Sequence, residues 1–370
     1  MTTPMTSRSA GVGCSQLRDP AAAATAAVTE ALEDLGGAAS VVFCFASAAY
    51  APQPLAAAAR AAAGPAHVLG CGASGILYRQ RELEGGTAVA ALAIATEAKP
   101  RAFFHTEVSA EGIERGLAVV LGDGYTIHPD RLASALQAKL APGVPLVGGL
   151  AVGPQGVVPA FRWLDGEVVG RGAVGIVLQL ESEPVIGFTQ GCKPIGPLLT
   201  VTGADGNVLK SLDGKPAFEV FAEQARPLLD DLPQAAQRIF LARSVDDGFV
   251  VRGFLGFDKE RGLLAVSEPM PEGTQVRFAL RDAYAARESL RAMIEDTKRR
   301  LAGRTPRYGL YFNCAGRGRS LFGVEDHDAA FIHDALGDFP LIGIFGGGEI
   351  GPVGKVSRMH LFAGVLAVVA

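Results

Sequence analysis

The sequence predicts an α/β protein: repeated strand–helix–strand units with glycine-rich turns forming mixed sheets, plus an antiparallel, hairpin-rich insert in the second half. Three observations carry this. One strand–turn–helix–strand pattern recurs three times along the chain. Glycine makes up 47 of the 370 residues, nearly twice the usual share of about 7%, without the period that marks collagen. Apolar residues reach 49% and charged residues only 19%, which excludes a disordered chain and leaves a sizeable core.

Residues 1–16 read as a loose tail. Asp19 is a good N-cap and Pro20 suits the first helical position, so a helix runs over Ala21 to Leu35 and stops at Gly36-Gly37. The three repeats follow. Each opens on an apolar strand: Val41 to Phe45, Ala118 to Leu121, and Gly309 to Phe312. Each continues through a polar or glycine turn into a helix: Leu55 to Ala63, Pro129 to Leu140, and Asp326 to Leu336. A second strand then runs into glycines at Gly70-Cys71-Gly72, Gly148-Gly149 and Gly343 to Gly348. Return strands close the copies at Thr87 to Ala93, Ala173 to Leu180 and Leu361 to Val369. A strand–helix–strand of about 30 residues is a parallel crossover unit. Continuous apolar strands expect both faces covered.

Residues 196–282 change character. Short strands alternate with turns at Asp205-Gly206, Asp246-Asp247-Gly248 and Lys259 to Gly262, which reads as antiparallel hairpins. A charged helix from Ala285 to Leu301 follows, with one apolar stripe through Leu290, Met293, Ile294 and Leu301. The expected organisation is a tail and helix over 1–37 and two domains over 38–184 and 185–370.

Net charge is −4, so no basic footprint argues for nucleic acid. Five scattered cysteines without a C-x-x-C pair fit neither a disulfide framework nor a zinc site. They point to a reducing, cytoplasmic compartment. The six histidines show no metal-ligand spacing, and no cofactor fingerprint occurs. No apolar run of about 20 residues predicts membrane insertion.

Three segments hold candidate chemistry. Around Gly70, Cys71 and Ser74, a glycine-rich turn offers either amides for an anion or a small buried thiol. Asn313-Cys314-Ala315-Gly316-Arg317 follows a buried strand, where a guanidinium suits bidentate recognition of a carboxylate or phosphate. A pair of solvated arginines is the plainer alternative. Asp326, His327, Asp328 and His333 read as a helix N-cap and an exposed face. Glu349 stands between Gly347-Gly348 and Gly351-Pro352 on an irregular loop, to bind a ligand or brace the loop. A cation and an acid on glycine loops at strand ends suit the two ends of a zwitterion such as an amino acid. The expected site is Gly70, Cys71, Ser74, Gly148, Gly149, Asn313, Arg317, Gly347, Gly348 and Glu349, with Cys71 and Cys314 as weak nucleophile candidates.

At these residues the sequence resembles the FIST family of paired FIST N-terminal and C-terminal domains. The matching segments are Leu69 to Ile76, Val144 to Ala151, Lys193 to Pro197, Leu212 to Ala217, Arg252-Gly253, Asn313 to Gly318, His327-Asp328, Pro340 to Gly343 and Gly348 to Pro352. The resemblance implies a ligand-sensing module for small molecules such as amino acids. It supplies no catalytic residues. In many members an output domain is attached. With none expected here, a separate signalling partner protein is expected to relay a small polar metabolite's binding. A thiol-dependent transferase or hydrolase and a protein-interaction scaffold are the alternatives.

Overall fold

The computed structural model describes residues 8–154, 159–226, 237–246 and 248–370. Residues 1–7 of the expected tail and Asp247 of the expected turn lie outside these.

The first unit comprises β1 (Ala10–Ser15), α1 (Pro20–Leu35), β2 (Val41–Ser47), α2 (Pro52–Ala62), β3 (His67–Ala73), a hairpin of β4 (Gly75–Tyr78) and β5 (Arg81–Glu84), and the return strand β6 (Val89–Ile94). The second repeats it with β7 (Arg101–Phe104), β8 (Gly116–Asp123), α3 (Pro129–Gln137), β9 (Leu146–Ala151), a hairpin of β10 (Arg162–Leu164) and β11 (Glu167–Val169), and β12 (Ala173–Gln179). The third opens on β13 (Val185–Gln190) and is then interrupted by the insert. The insert holds β14 (Cys192–Asp205), β15 (Val208–Leu212), β16 (Lys215–Pro216), α4 (Ala217–Ala225), β17 (Ile239–Val245), β18 (Gly248–Arg252), β19 (Phe254–Asp258), β20 (Leu263–Val266) and β21 (Gln275–Arg281). The unit resumes with α5 (Ala283–Leu301), β22 (Tyr308–Cys314), the one-turn α6 (Arg319–Phe322), α7 (His327–Leu336), β23 (Leu341–Gly346), a hairpin of β24 (Glu349–Val353) and β25 (Val356–His360), and β26 (Ala363–Val369).

The three units build three six-stranded sheets of one design. Their orders are β1-β6-β2-β3-β10-β11, β7-β12-β8-β9-β24-β25 and β13-β26-β22-β23-β4-β5. In each, the two strands that flank the crossover helix pair parallel (β2 with β3, β8 with β9, β22 with β23) and every other pairing is antiparallel. The hairpins are exchanged in a cycle. The first unit's β4 joins β23, the third unit's β24 joins β9, and the second unit's β10 joins β3. The chain on either side of residue 184 therefore shares its sheets. The insert forms a separate eight-stranded antiparallel sheet, covered by α4 through Phe218 and Phe221.

Inner faces of the three sheets meet in one core through Phe43, Leu92, Val119, Ile176, Phe312 and Ile344. Outer faces are covered by α1 and α2, by α3, and by α5 and α7. Asp19 caps α1 through the Ala22 amide and Asp282 caps α5 through the Ala285 amide, both at 2.7 Å.

Two readings change. Residues 10–15 are not tail but β1, an edge strand along β6. Their small side chains hide the strand pattern, because Gly11 and Gly13 lie so close to α1 that a Cβ would meet its backbone at 2.2 Å. The glycines at the repeat ends are not open turns. Gly70, Gly148 and Gly343 sit within strands, in register with Cys44, Val120 and Tyr311. An added Cβ there would meet the opposing carbonyl oxygen at 2.0, 1.9 and 2.2 Å. Glycine is required at these positions by strand-to-strand approach.

Candidate functional site

The carboxyl ends of β3, β9 and β23 converge and bond to one another. Val152 donates to the Gly72 carbonyl at 3.0 Å, Leu150 to Gly348 and Gly347 to Leu150 at 2.8 Å, and Ser74 to Phe345 at 3.0 Å. Ser74 Oγ donates to the same Phe345 carbonyl at 2.8 Å. The Ser74 amide, in the turn that the sequence offers as an anion cradle, is spent on closing the junction. Gly70 and Gly149 lie in the ladders of β3 and β9. Cys71 lies opposite Arg162 of β10.

Asn313, Cys314, Arg317 and Glu349 do come together, and they are buried rather than lining an open turn. Arg317 and Glu349 are both 0% exposed. The Arg317 Nε and Nη2 donate to Asp328 Oδ2 at 3.1 and 2.9 Å. That oxygen also accepts from the Tyr311 hydroxyl at 2.8 Å and from Asn313 Nδ2 at 3.2 Å, while Oδ1 lies 2.8 Å from His327 Nδ1. Burial alone would raise the Asp328 carboxyl. The Arg317 charge and the His327 and Tyr311 hydrogen bonds outweigh it and bring it down to about 2. Asp328 is therefore no exposed helix residue: it falls on the buried stripe of α7 with Ala329 and Ile332. Phe322 packs under the Arg317 guanidinium at 5.4 Å and stacks on His327 at 3.6 Å.

Glu349 pairs with Gly149 on β9 and His360 on β25. Its Oε2 accepts from the Ala363 amide at 3.1 Å, and Oε1 has no partner. Burial holds this carboxyl well above the usual range, against the pull of the Ala363 amide, the Arg317 charge and a hydrogen bond from Cys314. Burial likewise raises the Cys314 thiol, with Glu349 beside it adding to the effect. The Cys71 thiol is pushed up to about 12. Neither supplies the thiolate that a nucleophile needs.

Sequence reasoning missed three further residues. Gln190 lies opposite Ala363, and Thr189 opposite Gly364, whose other neighbour is Asn313. Gln190 Nε2, Thr189 Oγ1 and Arg317 Nη1 are buried without partners. His360 packs against Phe188 with tilted rings, centroids 4.5 Å apart, and donates from Nε2 to the Gly351 carbonyl at 3.0 Å, leaving Nδ1 bare. Burial lowers it to about 4, so the ring is neutral. Only Gln190 and Thr189, at the end of an apolar strand, gave a polar signal that could have been noticed. Unpaired buried polar groups are rare because each costs about 1–3 kcal/mol. Here several gather at the ends of β13, β22, β24 and β26.

The first unit's hairpin braces the segment that carries Arg317 and Asp328. Glu84 Oε1 accepts from the Arg319 amide at 2.9 Å. Arg81 pairs with Asp326 at 2.9 Å. Glu82 Oε1 accepts from the Asp328 and Ala329 amides at 2.9 and 3.0 Å, capping α7. Burial and the nearby Asp328 charge push the Glu82 carboxyl up to about 8, despite those amides. Its proton is thus held more tightly folded than unfolded. The stability this gives is complete below the ordinary carboxyl value and is lost as pH rises toward 8. Urea midpoints of the wild type are expected to fall between pH 5 and pH 8, and Glu82→Gln is expected to flatten that fall. An unchanged slope in the variant would contradict the assignment.

Among the described residues no cluster of side chains is arranged to hold a metal ion, and no helix is long and apolar enough to cross a membrane. Family comparisons match a FIST N domain over residues 40–215 and a FIST C domain over residues 217–352. The uncharacterized protein Rv0628c of Mycobacterium tuberculosis is 35% identical over 96% of this chain and 98% of its own length. The uncharacterized protein Mb0898c of Mycobacterium bovis is 34% identical over 96% of this chain and 97% of its own.

Proposed function

The chain belongs to the FIST family, whose domains are sensory modules of signal transduction, and on that premise we propose that it is a cytoplasmic receptor for a small carboxylate, the carboxylate of an amino acid included. The observation that carries this is a set of buried donors without hydrogen-bond partners at neighbouring strand ends. Arg317 Nη1, Gln190 Nε2 and Thr189 Oγ1 lack acceptors, and burial holds the Glu349 carboxyl beside them well above its usual range. Such a set fits an oxyanion. The bare His360 Nδ1 is an acceptor for a neighbouring hydroxyl or amine. Free cysteines, at all five positions, suit a reducing compartment.

The site lies at carboxyl ends of parallel strands, where α/β sheets take their ligands. Both halves of the chain hold the segment above it: Arg281 and Arg287 donate to the Gly316 and Phe322 carbonyls, and the first unit's hairpin grips the other side. Ligand binding is thereby felt in both FIST domains and passed to a separate signalling partner. Thermal denaturation of the full chain with acetate, propionate, lactate and a set of amino acids tests this. A ligand at a hundred times its Kd is expected to add about 2.7 kcal/mol, and Glu349→Leu is expected to remove the shift. No stabilisation by any carboxylate would overturn the reading.

A further inference from the structure

The cyclic exchange of hairpins creates three equivalent junctions, and their contents differ. The hairpin residue one step beyond the close-approach glycine is Ile76 opposite Ile344, Arg162 opposite Cys71, and Glu349 opposite Gly149. In the hairpin's own unit, the strand that precedes the crossover helix ends at Ser47, Asp123 and Cys314 respectively. Ile76 fills its junction at 0% exposure. The architecture therefore accepts an apolar residue there, and a buried charge at the equivalent position is not demanded by folding.

Arg162 is nevertheless 0% exposed. Its Nη1 donates to the Ala160 carbonyl at 3.0 Å. Nε and Nη2 have no hydrogen-bond partner. Asp123 approaches Nη2 only to 3.4 Å. Its own oxygens are committed to the next turn: Oδ1 accepts from the Tyr125 and Thr126 amides at 2.8 Å, and Oδ2 from the Thr126 hydroxyl. The Nε–Nη2 edge is the fork that takes a planar oxyanion through two parallel bonds. In Arg317 the same edge is occupied by Asp328. The turn that Asp123 holds also forms one wall of a cavity of about 320 Å³, shared with Arg252, Ser267 and Met359 at the seam with the insert.

We propose that the Nε–Nη2 edge of Arg162 is a second binding point, specific for a small planar oxyanion of the carboxylate type and separate from the Arg317 cluster. Asp123 neutralises the guanidinium at a distance and leaves its fork available. The proposal stands on residues other than those of the receptor site, so either can fail alone.

Crystals of the full chain soaked in sodium bromide test it without any variant. An anomalous peak is expected within hydrogen-bond reach of Arg162 Nε and Nη2, displaced when formate is added. In solution, formate is expected to shift the Arg162 Nε–H resonance, assigned by its loss in Arg162→Met, a variant that keeps the side chain's length. The variant is expected to weaken formate binding at this point at least tenfold. Bromide found only at the surface, with the Arg162 resonance unmoved by formate, would overturn the proposal. Bromide and formate at Arg317 alone would do the same while sparing the receptor reading.

Discussion

Asp328→Asn is expected to lower the unfolding free energy by about 3–5 kcal/mol, the cost of leaving one member of a buried ion pair without its partner. The substitution barely changes shape. It removes the charge that faces Arg317 where both side chains are 0% exposed. It also gives a neutral amide oxygen to Tyr311 and Asn313, where a carboxylate now accepts from both. Both side chains are fully buried, so the deficit falls on the folded state. The same pair implies a pH effect. Because the Asp328 carboxyl is held down to about 2, its contribution is present above the ordinary carboxyl value and is lost as pH falls toward 2. Urea denaturation of the wild type and Asp328→Asn at neutral pH checks the magnitude. A loss below about 1 kcal/mol, the range of an exposed pair, would mean that the cluster is wetter than described.

Gly148→Ala is the second large effect. A Cβ at this position would stand 1.9 Å from the Val120 carbonyl oxygen. The obstacle is backbone of the paired strand, so no side chain can rotate away, and β8 and β9 have to part. Overpacking of a rigid core costs about 1–3 kcal/mol, and the upper end is expected here. Gly86→Ala is the control: it is exposed, and nothing lies within 4 Å of its Cβ direction. That change is expected to be neutral or slightly stabilising. Equal midpoints for the two variants in chemical denaturation would contradict the strand-approach account of the repeated glycines.

Much of this architecture was legible from local pattern. The apolar runs at Val41, Ala118 and Gly309, and the glycines that follow each helix, are dictated by parallel pairing and close approach, which act within one unit. The exchange of hairpins was not legible. Nothing local says that β4 of the first unit's hairpin will add to β23, more than 260 residues away in the chain. The site divided along the same line. Arg317 and Glu349 stood out because polar residues on glycine-rich segments after buried strands are unusual. Their burial did not, since it follows from the sheets closing over them. Asp328 looked like an exposed helix residue because a carboxylate near a helix start is common. The sequence singled out nothing at Arg162, which the structure sets opposite Cys71 and buries fully. Gly70 and Gly148 drew attention for the wrong reason: their amides serve the ladder, and it is their missing side chains that matter.

The central claim is that Arg317 and Glu349 recognise a carboxylate. The most direct measurement is a crystal structure of the full chain with whichever carboxylate stabilises it most. The account predicts a carboxylate oxygen within hydrogen-bond distance of Arg317 Nη1, with Glu349 Oε1 as its second neighbour. An ordered ligand elsewhere, such as the seam cavity beside Arg252, with both atoms still unpartnered, would contradict it.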